Sequence, residues 1–572
     1  MNILGISPFT DSSVAIIQDG KIICSVEEER LNRIKHYKGM PWLAIGECLN
    51  IANMSLRDID IIAIGWNPLL GWKTRIGETV KSMFWMPGSF RSKVSRGSGY
   101  WKGCKEILRL KKLLAKRFAP RGVRQKIVFI EHHLAHAAST FLPSPYDSAN
   151  IIIADGVGES VTISFFTGKG NNLRRTRQII FPHSLGHVYA SVTAFLGFKM
   201  THDEGKVMAL ASLGEDKYRE LFSKLVRINS ASETIKIDTK LLDYSEASHG
   251  VFSKKWLKLT GMNPRRRDEP LTQQHKDLAC SLQKCVEEKV FSLLEMYFSD
   301  GRQRPLCAAG GLFLNSMLNG KITRNFNDKF FIQPAAGDNG VSLGAALFAN
   351  SKIESNYQRQ PLTDVYLGRK FKDEEIRKAL KMKSINPRIS NSIFSETAEF
   401  IAQSKVVGWF RGRMEFGPRA LGNRSILACP TVAKMKDVIN LKVKHREEFR
   451  PFAGSVMLDE ANEYFEDVQE SPFMLKVFYF KKKYRNTFPA ISHVDYSCRI
   501  QTVTQKQDLY KLLKEVRKRT GYGMVLNTSM NLAGEPIVNT PKEAVDVLSK
   551  SNLDVMILEN YIIRKENVIK GI

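Results

Sequence analysis

The chain has 572 residues, 43% of them hydrophobic and 25% charged. That balance suits a folded globular protein, and the length exceeds what one core holds, so two to four domains are expected. No stretch approaches ~18 uninterrupted apolar residues, and Met1-Asn2-Ile3-Leu4-Gly5-Ile6 runs into a strand without a basic leader, so a cytoplasmic protein with no membrane span is expected.

Residues 1 to 26 predict a strand, a turn and two more strands: Ile3 to Ile6, Val14 to Ile17, then Lys21 to Val26 after the Asp19-Gly20 hairpin turn. The formal net charge of +28 raises the question of nucleic acid. Much of it falls in a basic insertion at residues 70–126, where Arg91, Lys93, Arg96 and a run of others face only Glu78 and Glu106. The interleaved Trp72, Phe84, Trp85, Phe90, Tyr100 and Trp101 could stack on bases or form the apolar face of a helical insertion. Nucleic acid is the disfavoured reading; a solvated face, or attraction for phosphate-bearing small substrates, is preferred. The eight cysteines lack CxxC spacing, which indicates neither a zinc site nor a disulfide framework.

Next comes His132-His133-Leu134-Ala135-His136. On a helix His132 and His136 stand at i and i+4, so both rings project from one face and can converge on one ion. A second hairpin opens at Asn150 to Glu159, with Asp155, Gly156 and Gly158 at its turn, and continues through Val161 to Phe166. Each half thus begins with a hairpin carrying an aspartate after its first strand, Asp11 and Asp155. That duplication is the plan of the actin-like ATPase fold, in which two hairpins hold nucleotide phosphates and metal. Helices are expected from Leu271 to Ser299, and strands with glycine turns from Ala308 to Ala346. There Asp338 follows the strand Lys329 to Ile332 in a Gly-flanked turn that lets a carboxylate approach an ion. His132, His136 and Asp338 are therefore expected to bind one metal. Two imidazoles and a carboxylate suit iron(II), zinc or manganese. His133 is left open between a structural and a functional role.

A polar stretch from Asn350 to Thr363 suits a linker, dividing residues 1–350 from a second α/β region at 364–572. Here Arg413, Arg419, Arg424, Lys442, Lys444, Arg446 and Arg450 crowd together with few acids. Phosphoryl and adenylyl chemistry needs such clamps because charge builds on nonbridging oxygens. The accompanying Met414, Phe416, Leu421, Phe449 and Phe452 favour a buried, phosphate-facing loop over a solvated face.

Ten runs in this order resemble the NodU/CmcH-type O-carbamoyltransferases, over nearly the whole chain apart from the basic insertion. They are Glu27-Glu28-Glu29-Arg30-Leu31-Asn32-Arg33-Ile34-Lys35-His36, the histidine run, Asp155 to Glu159, Asp203 to Met208, Gly310 to Asn315, Gly337 to Gly340, Gly412 to Gly422, Val443 to Glu447, Phe449 to Phe452, and Asn527-Thr528-Ser529. The resemblance implies an N-terminal part like the tRNA threonylcarbamoyl-transfer proteins, actin-like with iron on the histidines and the downstream aspartate. It implies a C-terminal part similar to YrdC domains, which make acyl-type adenylates. Carbamoyl phosphate and ATP, with Mg2+ as a further candidate cofactor, would yield carbamoyladenylate there. A hydroxyl of a small natural product would then attack the carbamoyl carbon in the metal domain and release AMP.

On that basis Gly156, Gly158, Gly310, Gly311 and Asn315 are expected to approach nucleotide, and Lys206 and Asp203 to line an acceptor or phosphate pocket. Lys444, Arg419 and Arg499 would hold phosphate and carbamoyl groups, joined by Arg413, Arg446, Arg450, Met474, Asn527, Thr528 and Ser529. No membrane is implied, and a homodimer is left open. Two departures stand out: Thr10-Asp11 where members carry His-Asp, and Met530 and Ala533 in the Asn-Thr-Ser region. Threonine has no useful pKa near neutrality and cannot be a general base. His133, His202 and Asp203 are the sequence candidates to replace it, with the adjacent His202 and Asp203 preferred because a carboxylate beside an imidazole raises its basicity. The alternative is that an activated donor needs no base. Two other functions compete: a tRNA-modifying carbamoyl or threonylcarbamoyl enzyme, favoured by the +28 charge, and a weakened homologue serving as a nucleotide-binding partner, favoured by Thr10 and Ala533.

Overall fold

The structure is a computed structural model that describes residues 1–71, 102–119, 122–229, 233–298, 303–354, 357–444 and 446–569. The aromatic-rich part of the basic insertion, 72–101, lies outside the described residues, as does the side chain of Lys442. The described end of the insertion includes a helix, Leu110–Phe118, with Leu110 and Leu114 buried. The chain divides into two compact units: residues 1–25, 36–318 and 325–362, and residues 26–35, 319–324 and 363–572. Among the described residues no helix is long and apolar enough to cross a membrane.

The first unit contains the same sheet twice. Strands β1 (Asn2–Ser7), β2 (Ser13–Gln18), β3 (Lys21–Glu27), β4 (Ile61–Ile64) and β5 (Lys126–Phe129) lie in the order β3-β2-β1-β4-β5. β1 is antiparallel to β2 and parallel to β4, and β4 is parallel to β5. The second copy uses β6 (Ser148–Ala154), β7 (Val161–Lys169) and β8 (Asn172–Ile180). A small hairpin, β9 (Val226–Asn229) with β10 (Thr234–Ile237), precedes its last two strands, β11 (Leu306–Ala309) and β12 (Phe330–Ile332). Its order, β12-β11-β6-β7-β8, repeats that of the first copy, with the same antiparallel and parallel pairings. This duplicated five-stranded plan is the actin-like fold expected from the two hairpins.

Two helices, His132–Phe141 and Val341–Ile353, fill the space against these sheets. The shared core is built of small and branched residues: Ile3, Ala15, Ile17, Ala63, Ala135, Ala138, Ile151, Ile153, Ala309, Ala345 and Ala346. Small side chains permit close approach. A Cβ on Gly5 would stand 2.0 Å from the Ser342 carbonyl oxygen, so the second helix rests directly on the β1 backbone. That packing fixes where Asp338, just ahead of this helix, meets the histidine helix.

The second unit is a mixed α/β domain. Its strands β13 (Arg388–Ile389), β14 (Val407–Phe410), β15 (Arg424–Ala428), β16 (Ala453–Met457), β17 (Lys476–Tyr479), β18 (Ser497–Val503), β19 (Met524–Ser529), β20 (Val555–Leu558) and β21 (Tyr561–Arg564) form one sheet. Their order is β13-β21-β20-β14-β15-β19-β16-β18-β17. Helices Asp373–Lys381 and Pro541–Lys550 cover one apolar face, and Ile393–Ala402 with Asp508–Thr520 cover the other. The segment 26–35 belongs to this unit. Glu27 accepts a hydrogen bond from the Gly417 N–H at 2.6 Å, and Arg30 donates to the Gly417 carbonyl at 2.6 Å.

Candidate metal centre and cation cluster

The helix His132–Phe141 is capped by Glu131, whose side chain accepts from the Leu134 N–H at 2.8 Å. The Glu159 carboxylate accepts from the His132 N–H at 3.2 Å and the Asn67 N–H at 2.7 Å, pinning the same turn. Both histidines of the i, i+4 pair are buried, His136 completely. Opposite them stands Asp155 at the end of β6. Its Oδ1 accepts from the Gly156 N–H at 2.7 Å and the Gly311 N–H at 3.3 Å, which leaves Oδ2 3.2 Å from His132 Nε2 and 3.4 Å from His136 Nε2. Asp338 Oδ1 completes the group, 3.5 Å from His132 Nε2 and 3.8 Å from His136 Nε2. Its turn is held by Ser7 Oγ, which donates to the Asp338 carbonyl at 2.8 Å, and by Ser13 Oγ, which donates to the Asn339 carbonyl at 2.6 Å.

One ligand atom from each of His132, His136, Asp155 and Asp338 lies within 4.8 Å of the others. Ligands about 2.0–2.2 Å from a common ion stand up to about 4.4 Å apart, which covers the 3.2 to 3.8 Å between the histidine nitrogens and the carboxylate oxygens. Two further observations fit a cation. Both ring nitrogens of the buried His136 lack a hydrogen-bond partner among the described residues. Burial opposes charge on His132 and on Asp155, yet their mutual contacts, with Asp338 and His136 adding, hold the His132 pKa well above and the Asp155 pKa well below their ordinary values. Such carboxylates want positive charge beside them, and a divalent ion supplies more of it than protonated imidazole. Sequence reasoning did not single out Asp155 as a member of this candidate ligand group. The signal was present, since it ends the first strand of the second hairpin.

His133 points elsewhere. Its Nδ1 meets Ser164 Oγ at 2.7 Å, it is fully buried, and burial together with the charges of His132 and His136 pushes its pKa well down. That contact fits the structural alternative. Gly158 is confined by these rings: a Cβ there would stand 3.1 Å from both His132 and His133. Gly310, at φ +97°, passes so close to Ala154 that a Cβ would lie 2.2 Å from its carbonyl oxygen. Asn315 is engaged with Gln283, donating from Nδ2 at 2.8 Å, and accepts from the Leu318 N–H at 3.0 Å.

The preferred pairing of His202 with Asp203 meets a different arrangement. Asp203 accepts from the Lys199 N–H at 3.0 Å and pairs with Lys206 Nζ at 3.2 Å. His202 has Nδ1 3.1 Å from the Met200 carbonyl, and burial with the neighbouring His36 holds its pKa down to about 4. The basicity expected from an adjacent carboxylate is absent because sequence neighbours at a helix start diverge in direction. Asp11, expected to turn toward nucleotide or metal, places Oδ1 2.8 Å from His36 Nδ1, and the His36 ring stands edge-on to His202 with centroids 4.4 Å apart.

In the second unit the basic run separates into two groups. Arg413 donates to the Gly368 and Leu367 carbonyls, and the buried Arg424 donates to the carbonyls of Arg411, Asn423 and Gly412 while lying over the Phe410 ring. Both brace the loop, whose turn is also gripped by Glu415, accepting from the N–H groups of Leu421, Asn423 and Arg424. Arg419, Lys444, Arg446, Arg450 and Arg499 instead converge. Burial and one another's charge push Arg419, Arg446 and Lys444 well below their ordinary pKa values, and burial with Arg450 brings Arg499 to about 10. Among the described residues Arg446 Nη2 and Arg499 Nε are buried without a hydrogen-bond partner. Lys444 Nζ donates to the Ser529 carbonyl, to Asn531 Oδ1 at 2.8 Å and to Ser529 Oγ at 3.3 Å. Asn527 is turned inward to Ser455 Oγ at 2.9 Å, beside Thr528 on β19. Met474 is buried at φ +57°. Repelling buried cations with orphaned donors have the chemistry of a candidate anion site.

Comparison with known proteins places these sites in a family. Residues 2–347 match the model for the carbamoyltransferase N-terminus and residues 398–565 that for the carbamoyltransferase C-terminus. The uncharacterized protein sll1178 of Synechocystis sp. is 38% identical over 99% of this chain and 97% of its own length. Nodulation protein NolNO of Sinorhizobium fredii is 36% identical over 97% of this chain and 79% of its own length. Among solved structures, T. kodakarensis HypF is 13% identical with a TM-score of 0.33, covering 62% of this chain and 48% of that one; the fold assignment stands on the strand order. With both family models matched in sequence order and full-length relatives above 30% identity, the chain belongs to the carbamoyltransferase family and is a transferase enzyme.

Proposed function

We propose that this enzyme is an ATP-dependent O-carbamoyltransferase that draws on carbamoyl phosphate and delivers to a hydroxyl of a small natural product. The observation that supports this most directly is the pairing of two unlike sites in one chain: a four-ligand cluster in the duplicated hairpin unit and a cluster of repelling cations in the mixed-sheet unit. Arg419, Arg446, Arg450, Arg499 and Lys444 hold the phosphates of carbamoyl phosphate and ATP. Carbamoyl phosphate is hydrolysed to carbamate and phosphate; a carbamate oxygen attacks the ATP α-phosphorus, pyrophosphate leaves, and fixed cations offset the charge that builds on the nonbridging oxygens. The acceptor oxygen then attacks the carbamoyl carbon of the adenylate, and AMP leaves.

His132, His136, Asp155 and Asp338 would hold a divalent ion, for which their chemistry suits iron(II), zinc or manganese and the family resemblance implies Fe(II), with Mg2+ accompanying ATP. Such an ion supplies Lewis-acid polarisation of the carbamoyl oxygen, or an anchor for nucleotide phosphate. Pyrophosphate release from ATP that requires carbamoyl phosphate, with a carbamate ester detected by mass spectrometry across a panel of alcohols, tests the proposal. Pyrophosphate release indifferent to carbamoyl phosphate would defeat it.

A further inference from the structure

The loop that leaves β1 stands at the metal-ligand end of the first unit. Ser7 before it and Ser13 after it donate to the carbonyls of Asp338 and Asn339. Within it Phe9 packs on Trp66 with centroids 4.8 Å apart, and Trp66 packs on His132 at 5.3 Å. Residues 36–39 are laid across this loop: the Gly39 N–H donates to the Phe9 carbonyl at 2.8 Å, the Ser12 N–H to the Tyr37 carbonyl at 3.5 Å, and Thr10 bridges Lys38. The two strands of contact bring Asp11 Oδ1 to 2.8 Å from His36 Nδ1. Both residues sit in the left-handed region, Asp11 at φ +46° and His36 at φ +55°. Non-glycine residues adopt that conformation at a cost, and such strain gathers where side chains must be aimed. Their side chains remain partly solvent-accessible, 23% for His36 and 29% for Asp11.

We propose that His36, oriented by Asp11, accepts the proton of the acceptor hydroxyl. This rests on the carbamoyl-transfer reading above and supplies the base that Thr10 cannot be. A carboxylate on Nδ1–H sets the tautomer in which Nε2 carries the lone pair that takes the proton. As the acceptor O–H proton moves to Nε2, the oxygen lone pair forms the new bond to the carbamoyl carbon. The bond from that carbon to the phosphate oxygen breaks, its electrons leave with AMP, and the proton is returned to solvent. His202, edge-on to His36 and held down to about 4, stays neutral over the working range and adds no competing positive charge.

The experiment runs the full chain with ATP and carbamoyl phosphate against two kinds of acceptor. Glycerol, methyl glucoside or, where neither is taken, water report attack by a hydroxyl; hydroxylamine traps carbamoyladenylate as hydroxyurea without a base. His36→Ala is expected to lower hydroxyl attack by about 100-fold or more while hydroxyurea formation holds, and added imidazole to restore part of the loss. Asp11→Asn is expected to show the same selectivity with a smaller loss. Undiminished attack by hydroxyls in His36→Ala, or equal loss of both products, overturns the proposal. If His36→Ala does not fold, Asp11→Asn is read by the same two criteria. A wild-type enzyme that forms no hydroxyurea at all defeats the carbamoyl-transfer reading instead.

Discussion

Gly344 lies so close to Ala135 that a Cβ on it would stand 1.9 Å from the Ala135 carbonyl oxygen. The contact is backbone to backbone between the helix that follows Asp338 and the helix that carries His132 and His136, so neither side can yield by rotating a side chain. Gly344→Ala must therefore push the helices apart. Overpacking of this kind costs about 1–3 kcal/mol. Thermal unfolding should shift down by several degrees and bound metal should fall with it; an unchanged midpoint would contradict the packing argument.

His136 and Asp155 face each other across the candidate metal centre, and each is held by elements that do not depend on the other. His136→Ala and Asp155→Asn should each lose bound metal in elemental analysis and lose carbamoyl transfer. Carbamoyl phosphate-dependent exchange of labelled pyrophosphate into ATP should persist, because the residues proposed for it lie in the other unit. Full metal content in either variant would remove that residue from the ligand set.

Burial and neighbouring cations lower the pKa values of Lys444 and Arg499, and an anion beside them would relieve that cost. Loss of one such contact to a transition-state phosphate should cost about 3 kcal/mol, roughly a hundredfold in rate. Lys444→Ala and Arg499→Ala should slow pyrophosphate exchange to that degree. Exchange at the wild-type rate in both would place adenylate formation elsewhere.

The depressed pKa of His202 has a signed effect on stability. Its folded pKa of about 4 lies below the ordinary 6.5, burial being the main cause and the neighbouring His36 the next. As pH falls through 6.5 the unfolded chain takes up a proton that the folded protein refuses until about 4, so the unfolded state gains. His202 thus contributes no penalty above pH 6.5 and a growing one between 6.5 and 4. His202→Gln should unfold at a temperature that rises relative to wild type as pH is lowered through this window. Parallel curves for the two proteins would show that His202 titrates normally.

The sequence alone determined the local and periodic features. The i, i+4 histidines share a face on any helix, the Asp19-Gly20 turn closes a hairpin wherever it sits, and the repeated hairpin with its terminal aspartate announced the duplicated unit that β1–β5 and β6–β8 with β11–β12 now display. The order of the motifs likewise specified the family. What tertiary structure decided was the partner of each polar group. Arg413 and Arg419 lie six residues apart in one glycine-rich loop, yet the first is consumed by the Gly368 and Leu367 carbonyls and the second joins Arg499 and Arg450. Asp155 and Asp11 both follow the first strand of their hairpins, yet one meets His132 and His136 and the other His36. A side chain's chemistry is written in its residue type, but its target is whichever group the fold carries to its tip, and for these residues that group comes from distant chain whose approach is set by helix and sheet packing.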